Sequence, residues 1–366
     1  MLSQASNRRP RVDLALLAIV GALVAIGLIS LHSASTDGRA WHVTQAGWLV
    51  FGTALAAITA TIDYRIFERY AYLLYSIVVL LLIVVLFAGI PGKSMRWLDL
   101  GVFVMQPSEL MKVSIIFVTA RYLRDSSANA PYKLTDLIIP FGLVALPALL
   151  VRIEPDLGTS LVIALIFMTV LLFAGVKRST LVSLGLAVLA GGFALYQWGM
   201  EDYQRARVTA FLNPDNVTHA GGWQVRQSII AIASGGALGH GHRMGTQVQH
   251  GFVPENQNDF IFAHIGEEWG FMGGLVLLFL YALLIVWALR IARHSRDQFG
   301  VLLAVGIAGF FFWHVTINLG MVLGLLPVVG LWLPFISYGG SSTLTVMVCV
   351  GLLMNLSIRR HVFNRL

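Results

Sequence analysis

One cysteine is all that the 366 residues contain, and Cys349 lies in the last long apolar run. An intrachain disulfide is therefore impossible. Charge is scarce as well: Asp, Glu, Lys and Arg make up 12% of the chain against 57% hydrophobic residues. The length alone would allow two or three soluble domains, but so little charge cannot cover them. Internal repeats and low-complexity tracts do not stand out. A nucleic-acid signature is missing too, because the net charge of +7 comes from short basic clusters between apolar runs.

What is present is a series of apolar runs near the roughly 20 residues that cross a bilayer. The reading is an all-α integral membrane protein with a single polytopic domain over residues 1–366 and ten helices. The first seven run over 14–31, 47–62, 71–90, 109–123, 137–151, 157–174 and 180–198. The eighth ends near Ile291 with an unclear start, and the last two cover 301–323 and 342–358. Arg8, Arg9 and Arg11 precede the first run, and Arg359, Arg360 and Arg365 follow the last. Alternate connections carry Arg65 and Arg69, then Arg121, Arg124 and Lys133, then Lys177 and Arg178, then Arg290, Arg293 and Arg296. The positive-inside rule makes both termini cytoplasmic and the long loop 199–259, between the seventh and eighth helices, extracytoplasmic. Within that loop the stretch Ile229 to Ala233 predicts a short amphipathic helix at the membrane surface.

The scarce charges are unevenly placed. FVPENQNDFIFAHIGEEWG, residues 252–270, gathers Glu255, Asp259, Glu267 and Glu268 beside an apolar run, 271–291, long enough to span. Asn258 or Asp259 would serve as a helix N-cap, and Glu267 and Glu268 as interfacial acids bonded to neighbouring helices. QPSELMK places Glu109 and Lys112 three residues apart, so that they share a helix face. They form either a structural ion pair or part of a pathway or site. In RIEPDLG the short link holds Arg152, Glu154 and Asp156; its plain reading is a polar turn with Asp156 as N-cap. GKSMRWLDL adds Lys93, Arg96 and Asp99 on the same side. His240, His242, His250 and His264 raise a metal question, although their spacing is not that of a zinc motif. In FISYGGSS, Gly339 and Gly340 permit a tight turn, and Ser341 or Ser342 would cap the last helix. The alternative there is a helix start whose N–H groups point at an anion such as a phosphate.

Together these motifs resemble the SEDS family of bacterial cell-wall proteins, and within it the RodA branch. The resemblance rests on Arg96, Trp97 and Asp99, QPSELMK at 106–112, EPDLGTS at 154–160, NPD at 213–215, GGWQVRQS at 221–228, IASGG at 232–236, MGTQ at 244–247, FVPENQNDFIFAHIGEEWGFMG at 252–273 and FISYGGSS at 335–342. It covers nearly the whole chain. Asn258 stands where many relatives have Thr, and Trp269 where Leu is commoner.

The resemblance implies a peptidoglycan glycosyltransferase that polymerises lipid II outside the cytoplasmic membrane. It also implies a class B penicillin-binding protein as partner, within the cell-elongation complex. The family's proposed catalytic acid falls on Asp259. The implied reaction inverts the anomeric centre, so it needs one carboxylate base and stabilisation of a departing diphosphate. Candidate substrate-binding residues are Arg96, Trp97, Glu109, Lys112, Glu154, Asp156, Arg205, Arg207, Arg226, Glu255, Ser337, Gly339, Gly340, Ser341 and Ser342, with Arg243 a further cation. No cofactor is otherwise expected, and a divalent cation, Mg or Mn, could substitute for the side-chain cations. The competing readings are a lipid II flippase or transporter, an FtsW-like division glycosyltransferase, and a scaffold for the penicillin-binding protein.

Overall fold

The computed structural model describes residues 12–35, 39–89, 96–99, 101, 104–127, 130–212, 220–252 and 257–359. The helices are α1 (Leu14–Ser33), α2 (Trp41–Thr61), α3 (Tyr64–Arg69), α4 (Ala71–Ala88), α5 (Pro107–Asp125), α6 (Ile138–Ile153) and α7 (Leu157–Ala174). They continue with α8 (Arg178–Ala194), α9 (Asp202–Leu212), α10 (Ala220–Ser234), α11 (Thr246–Gln249), α12 (Ile261–Arg293), α13 (Gln298–Val322) and α14 (Gly340–Arg359). Two short strands, β1 (Leu98–Asp99) and β2 (Val104–Met105), pair antiparallel ahead of α5.

Among the described residues, nine helices are long and apolar enough to cross a membrane: α1, α2, α4, α6 to α8 and α12 to α14. Each matches one of the predicted apolar runs. The remaining predicted helix is α5, which is 19 residues long but carries Glu109, Lys112, Arg121, Arg124 and Asp125. Its charges are tolerable because α5 is enclosed by α4, α6, α7, α13 and α14 and its residues 111–120 are buried. Burial sorts the rest: 78% of α13 and 83% of α14 are buried over their spanning lengths, against 11% of α8. Thus α5, α13 and α14 form the centre, and α8 lies at the periphery.

One end of the bundle collects the basic connections. Arg124 pairs with Glu68 at 2.9 Å, Arg359 pairs with Asp63 at 3.2 Å, and the Tyr64 hydroxyl donates to Asp297 at 2.5 Å. At the same end Tyr132 N–H donates to Gly175 O and Lys177 N–H donates to Tyr132 O, at 3.0 and 3.1 Å. This convergence is what alternating basic connections require of antiparallel helices. The opposite end, called here the loop end, carries residues 199–212, 220–252 and 257–260 and the connection from α13 to α14.

Helix α2 begins six residues before the predicted Gly47, because its polar first turns find partners. Gln45, 1% exposed, donates to Thr343 Oγ1 at 2.7 Å and accepts from the Gly339 N–H at 3.2 Å. The predicted surface helix at 229–233 is the C-terminal third of α10, which packs on α12 and α13.

The unclear start of the eighth helix also has a structural cause. Helix α12 is two helices joined at Gly270, whose φ of 65° breaks the ladder. Backbone groups freed by such a break must be satisfied elsewhere. Here the N–H groups of Phe271 and Met272 donate to the carbonyls of Gly236 and Ala237, at 2.9 and 3.1 Å. The carbonyls of Glu267 and Glu268 accept from His240 and Gly241, at 3.1 and 2.9 Å. The 236–241 segment thus docks into the break, and a Cβ on Gly270 would lie 2.3 Å from the Gly239 nitrogen.

Candidate active site

The connection from α13 to α14 organises the loop end. Its stretch 328–341 meets Arg207, Asp259, Glu109 and Lys112, and each contact has a distinct chemical form.

Asp259 lies in the turn just before α12, half-buried. Three bonds hold the backbone of that turn. Tyr338 N–H donates to Gln257 O at 2.9 Å, the Ser337 hydroxyl to Asn258 O at 2.7 Å, and the Asn318 amide to Asp259 O at 2.8 Å. The Asp259 carboxylate faces Gly330: a Cβ placed there would be 3.3 Å from Oδ2. The capping expectation fails. The N-cap of α12 is Phe260, without a side-chain cap bond, because the helix begins two residues after Asp259.

Arg207, on α9, reaches the same stretch and donates to Val328 O at 3.4 Å. Arg205 turns away, donating to Gln197 O at 3.2 Å, just beyond α8. Arg226 is on the exposed face of α10. Glu255 and the 213–215 motif lie outside the described residues, as does Lys93.

Glu109 and Lys112 pair at 2.7 Å, with side chains 2% and 0% exposed. The Trp332 indole N–H also donates to Glu109 Oε1, at 3.0 Å, and Lys112 Nζ lies 5.0 Å from the centre of the Trp332 ring. His314, on α13, completes the enclosure with Nε2 3.2 Å from Lys112 Nζ. Lys112 as a direct diphosphate ligand is therefore corrected: its ammonium is enclosed by acceptors and an indole face. Its charge acts on the loop end only through space.

Arg96 and Asp156 form the third cluster. Arg96 Nε donates to Glu154 O at 2.8 Å, a second nitrogen donates to Pro155 O, and Nη1 lies 3.8 Å from Asp156 Oδ2. Asp156 caps α7 through Thr159 N–H at 3.0 Å, as its sequence position suggests, and also accepts from Gln106 Nε2 at 3.2 Å. The cap sits beside Val329, since a Cβ on Gly158 would lie 2.5 Å from Val329 O. Glu154 is fully buried, and neither carboxyl oxygen has a hydrogen-bond partner among the described residues. Burial, reinforced by the Asp156 charge and opposed by Arg96, pushes its carboxyl up to about 8. Trp97 is half-buried beside Arg96, and Asp99 caps the turn at Gly101 N–H at 2.8 Å.

The start of α14 departs from expectation. The helix begins at Gly340, so Ser341 and Ser342 are inside its first turn and are not caps. The Ser341 hydroxyl bonds Val104 O at 3.3 Å and accepts from Gln106 N–H at 3.2 Å; that of Ser342 donates to Gly339 O at 3.1 Å. The helix start is covered by Trp48, 2.6 Å from where a Gly340 Cβ would sit, and the Gly339 N–H is taken by Gln45. Ser341 fastens β2 and the start of α5 to α14, whereas Ser342 bonds within its own turn. They present no open anion site.

The remaining carboxylates of the 252–270 stretch bind backbone. Glu267 accepts from Gln247 and Val248 N–H, at 2.7 and 3.0 Å, serving the first turn of α11 from across the fold. Glu268 accepts from Arg243 N–H at 2.7 Å and from the Ser33 hydroxyl, with His264 and His242 nitrogens at 3.4 and 3.5 Å. Both pin the 240–249 segment onto α12. Among the described residues, no group of three or more His, Cys, Asp or Glu is placed to hold a metal ion.

His314, Asn318 and Trp332 escaped the sequence reading. The signal was present, since His314 and Asn318 are polar, four apart and inside an apolar run, hence on one helix face.

Comparison with known proteins matches residues 10–362 to the family model FTSW_RODA_SPOVE, described as cell cycle protein. The peptidoglycan glycosyltransferase MrdB of Escherichia coli K12 is 38% identical over 358 residues, which cover 97% of this chain and 95% of that one. A chain from a solved peptidoglycan synthase complex, described as coordinating polymerization and crosslinking, superposes with TM-score 0.83 at 31% identity, covering 96% of this chain and 98% of its own. The rod shape determining protein RodA of Thermus thermophilus superposes with TM-score 0.71 at 28% identity and the same coverage.

Proposed function

The chain belongs to the FtsW, RodA and SpoVE family, and from that premise we propose that Asp259 is the general base of its glycosyl transfer. The protein is a peptidoglycan glycosyltransferase of the RodA branch and a multi-pass membrane protein. Its substrate in this reading is lipid II, a disaccharide peptide on a polyprenyl diphosphate. Its partner is a penicillin-binding protein that cross-links the product. The loop end faces the extracytoplasmic side, because the basic connections gather at the other end.

In the step envisaged, the GlcNAc 4-hydroxyl of one lipid-linked disaccharide attacks the anomeric carbon of another from the side opposite the diphosphate. The new C–O bond forms as the bond to diphosphate breaks, which inverts the centre. The hydroxyl proton passes to the Asp259 carboxylate, and the bonding pair leaves with the diphosphate. A single displacement uses one carboxylate base, unlike the two carboxylates of a retaining glycosidase. Arg207, bonded to Val328 O, and Arg96, beside the Asp156 cap, are both partly exposed and supply the cations that the leaving diphosphate requires.

The observation that carries this reading is the placement of Asp259. Its carboxylate faces Gly330, two residues along from the carbonyl that Arg207 holds. The test is polymerisation of lipid II by the protein with its partner, transpeptidation being blocked. Asp259→Ala is expected to give no glycan polymer and Asp259→Glu reduced polymer; full polymerisation by Asp259→Ala would remove the assignment. A cysteine at an exposed polar position of the loop end, such as Glu201, should react with an impermeant thiol reagent in spheroplasts. Protection of that cysteine in well-expressed protein would reverse the orientation.

A further inference from the structure

We propose that Asn318 and His314, one turn apart on α13, are positioning residues for the transfer reaction. Asn318 fixes the peptide of Asp259, and His314 fixes the ammonium of Lys112. The inference rests on Asp259 being the base.

Both side chains are fully buried. Asn318 Nδ2 donates to Asp259 O at 2.8 Å and to Leu331 O at 2.6 Å. A carbonyl oxygen only accepts, so two carbonyls require the NH2 of the amide on that side, and both its hydrogens are used. His314 Nδ1 faces Trp332 O at 3.3 Å, while Nε2 faces Lys112 Nζ at 3.2 Å. By the same rule Nδ1 carries the hydrogen. Nε2 is then the lone-pair side, which accepts from the lysine ammonium, and the ring is the neutral Nδ1–H tautomer.

The two residues therefore hold consecutive carbonyls, Leu331 and Trp332, of one backbone stretch. That stretch also meets each charged part of the site. Val328 O receives Arg207, Gly330 faces the Asp259 carboxylate, and Trp332 donates its indole N–H to Glu109. A loop held at two adjacent peptides against a buried helix has little freedom to slide. The second hydrogen of Asn318 goes to the peptide of Asp259 itself, which a loop anchor alone would not need. The separation between the base and the Glu109–Lys112 charges is thus set by one face of α13. A misplacement of about 1 Å at a reacting group can lower turnover by about a hundredfold.

The test uses the full chain with its cross-linking partner, lipid II as substrate and transpeptidation blocked, and reads kcat, KM and thermal unfolding. Asn318→Leu keeps the volume and removes both donors; kcat is expected to fall by about 30-fold or more with KM within about threefold. Asn318→Gln keeps the donor on a longer arm and covers the case in which Leu does not fold. It is expected to lose kcat while unfolding near the wild-type temperature. His314→Gln retains an acceptor for Lys112 and is expected to keep most of the kcat that His314→Leu loses. Wild-type kcat in a folded Asn318 variant, or a loss expressed only in KM or in unfolding temperature, would overturn the proposal, as would equal losses in the two His314 variants. Asp259→Ala, run in parallel, separates the two claims. Polymer from it removes the base assignment, whereas an inactive Asp259→Ala beside a fully active Asn318→Leu removes the positioning role alone.

Discussion

Trp332 closes over Glu109: its indole N–H donates to Oε1 at 3.0 Å, the same oxygen that accepts Lys112 at 2.7 Å. An ion pair inside a membrane protein is stable only when both members are paired and enclosed. Here the enclosure comes from a side chain 223 positions beyond Glu109, on the segment that also faces Asp259.

Removing one member of this pair should be far worse than removing both. Glu109→Gln or Lys112→Met alone strands a buried charge, and each is expected to lower stability by about 3–5 kcal/mol. The double variant is expected to lose less than the sum. A double-mutant cycle by thermal unfolding checks this, and additive losses would show that the two charges do not depend on each other.

Glu154 should make stability fall as pH rises. Burial raises its carboxyl from the ordinary 4.5 to about 8. Between those values the folded protein holds a proton that the unfolded chain has released, so the folded state loses its advantage with increasing pH. Glu154→Gln, permanently neutral, is expected to unfold at higher temperature than wild type at pH 8 and at nearly the same temperature below pH 4.5. Parallel melting curves across that range would contradict the raised value.

Gly158 should not tolerate alanine. The added Cβ would lie 2.5 Å from Val329 O, a backbone atom with little room to yield. Overpacking of this kind costs about 1–3 kcal/mol. Because Val329 sits between the carbonyl held by Arg207 and the glycine facing Asp259, polymerisation should fall further than stability predicts. Comparison of initial rates with unfolding temperatures separates the two effects.

Glu267 should matter to folding of the loop end rather than to chemistry. Glu267→Ala leaves the N–H groups of Gln247 and Val248 without their acceptor, at about 1–3 kcal/mol each. Faster hydrogen exchange at those two amides, with polymerisation reduced less than in Asp259→Ala, is the expected result.

Much of this was legible in the amino-acid order. Long apolar runs give spanning helices because an unpaired peptide group is too costly in hydrocarbon. Every one of the nine apolar helices falls on a run that can be read directly, and Asp156 caps α7 as its place before Leu157 suggests. The sorting of basic connections to one end was equally readable, since Arg124 and Arg359 do meet Glu68 and Asp63 there.

Local pattern misled where tertiary partners decide. Ser341 and Ser342 have the chemistry of caps, but their hydroxyls were drawn to carbonyls of β2 and Gly339. Lys112 has the charge of a phosphate ligand, but a tryptophan and a histidine from distant segments enclose it. The four carboxylates of the 252–270 stretch show the division most clearly. Their presence beside a span is a property of the sequence. Tertiary structure assigned two of them, Glu267 and Glu268, to holding backbone, and left Asp259 facing Gly330. Hydrogen-bond partners and enclosure depend on which distant segments meet, and neither periodicity nor composition encodes that meeting.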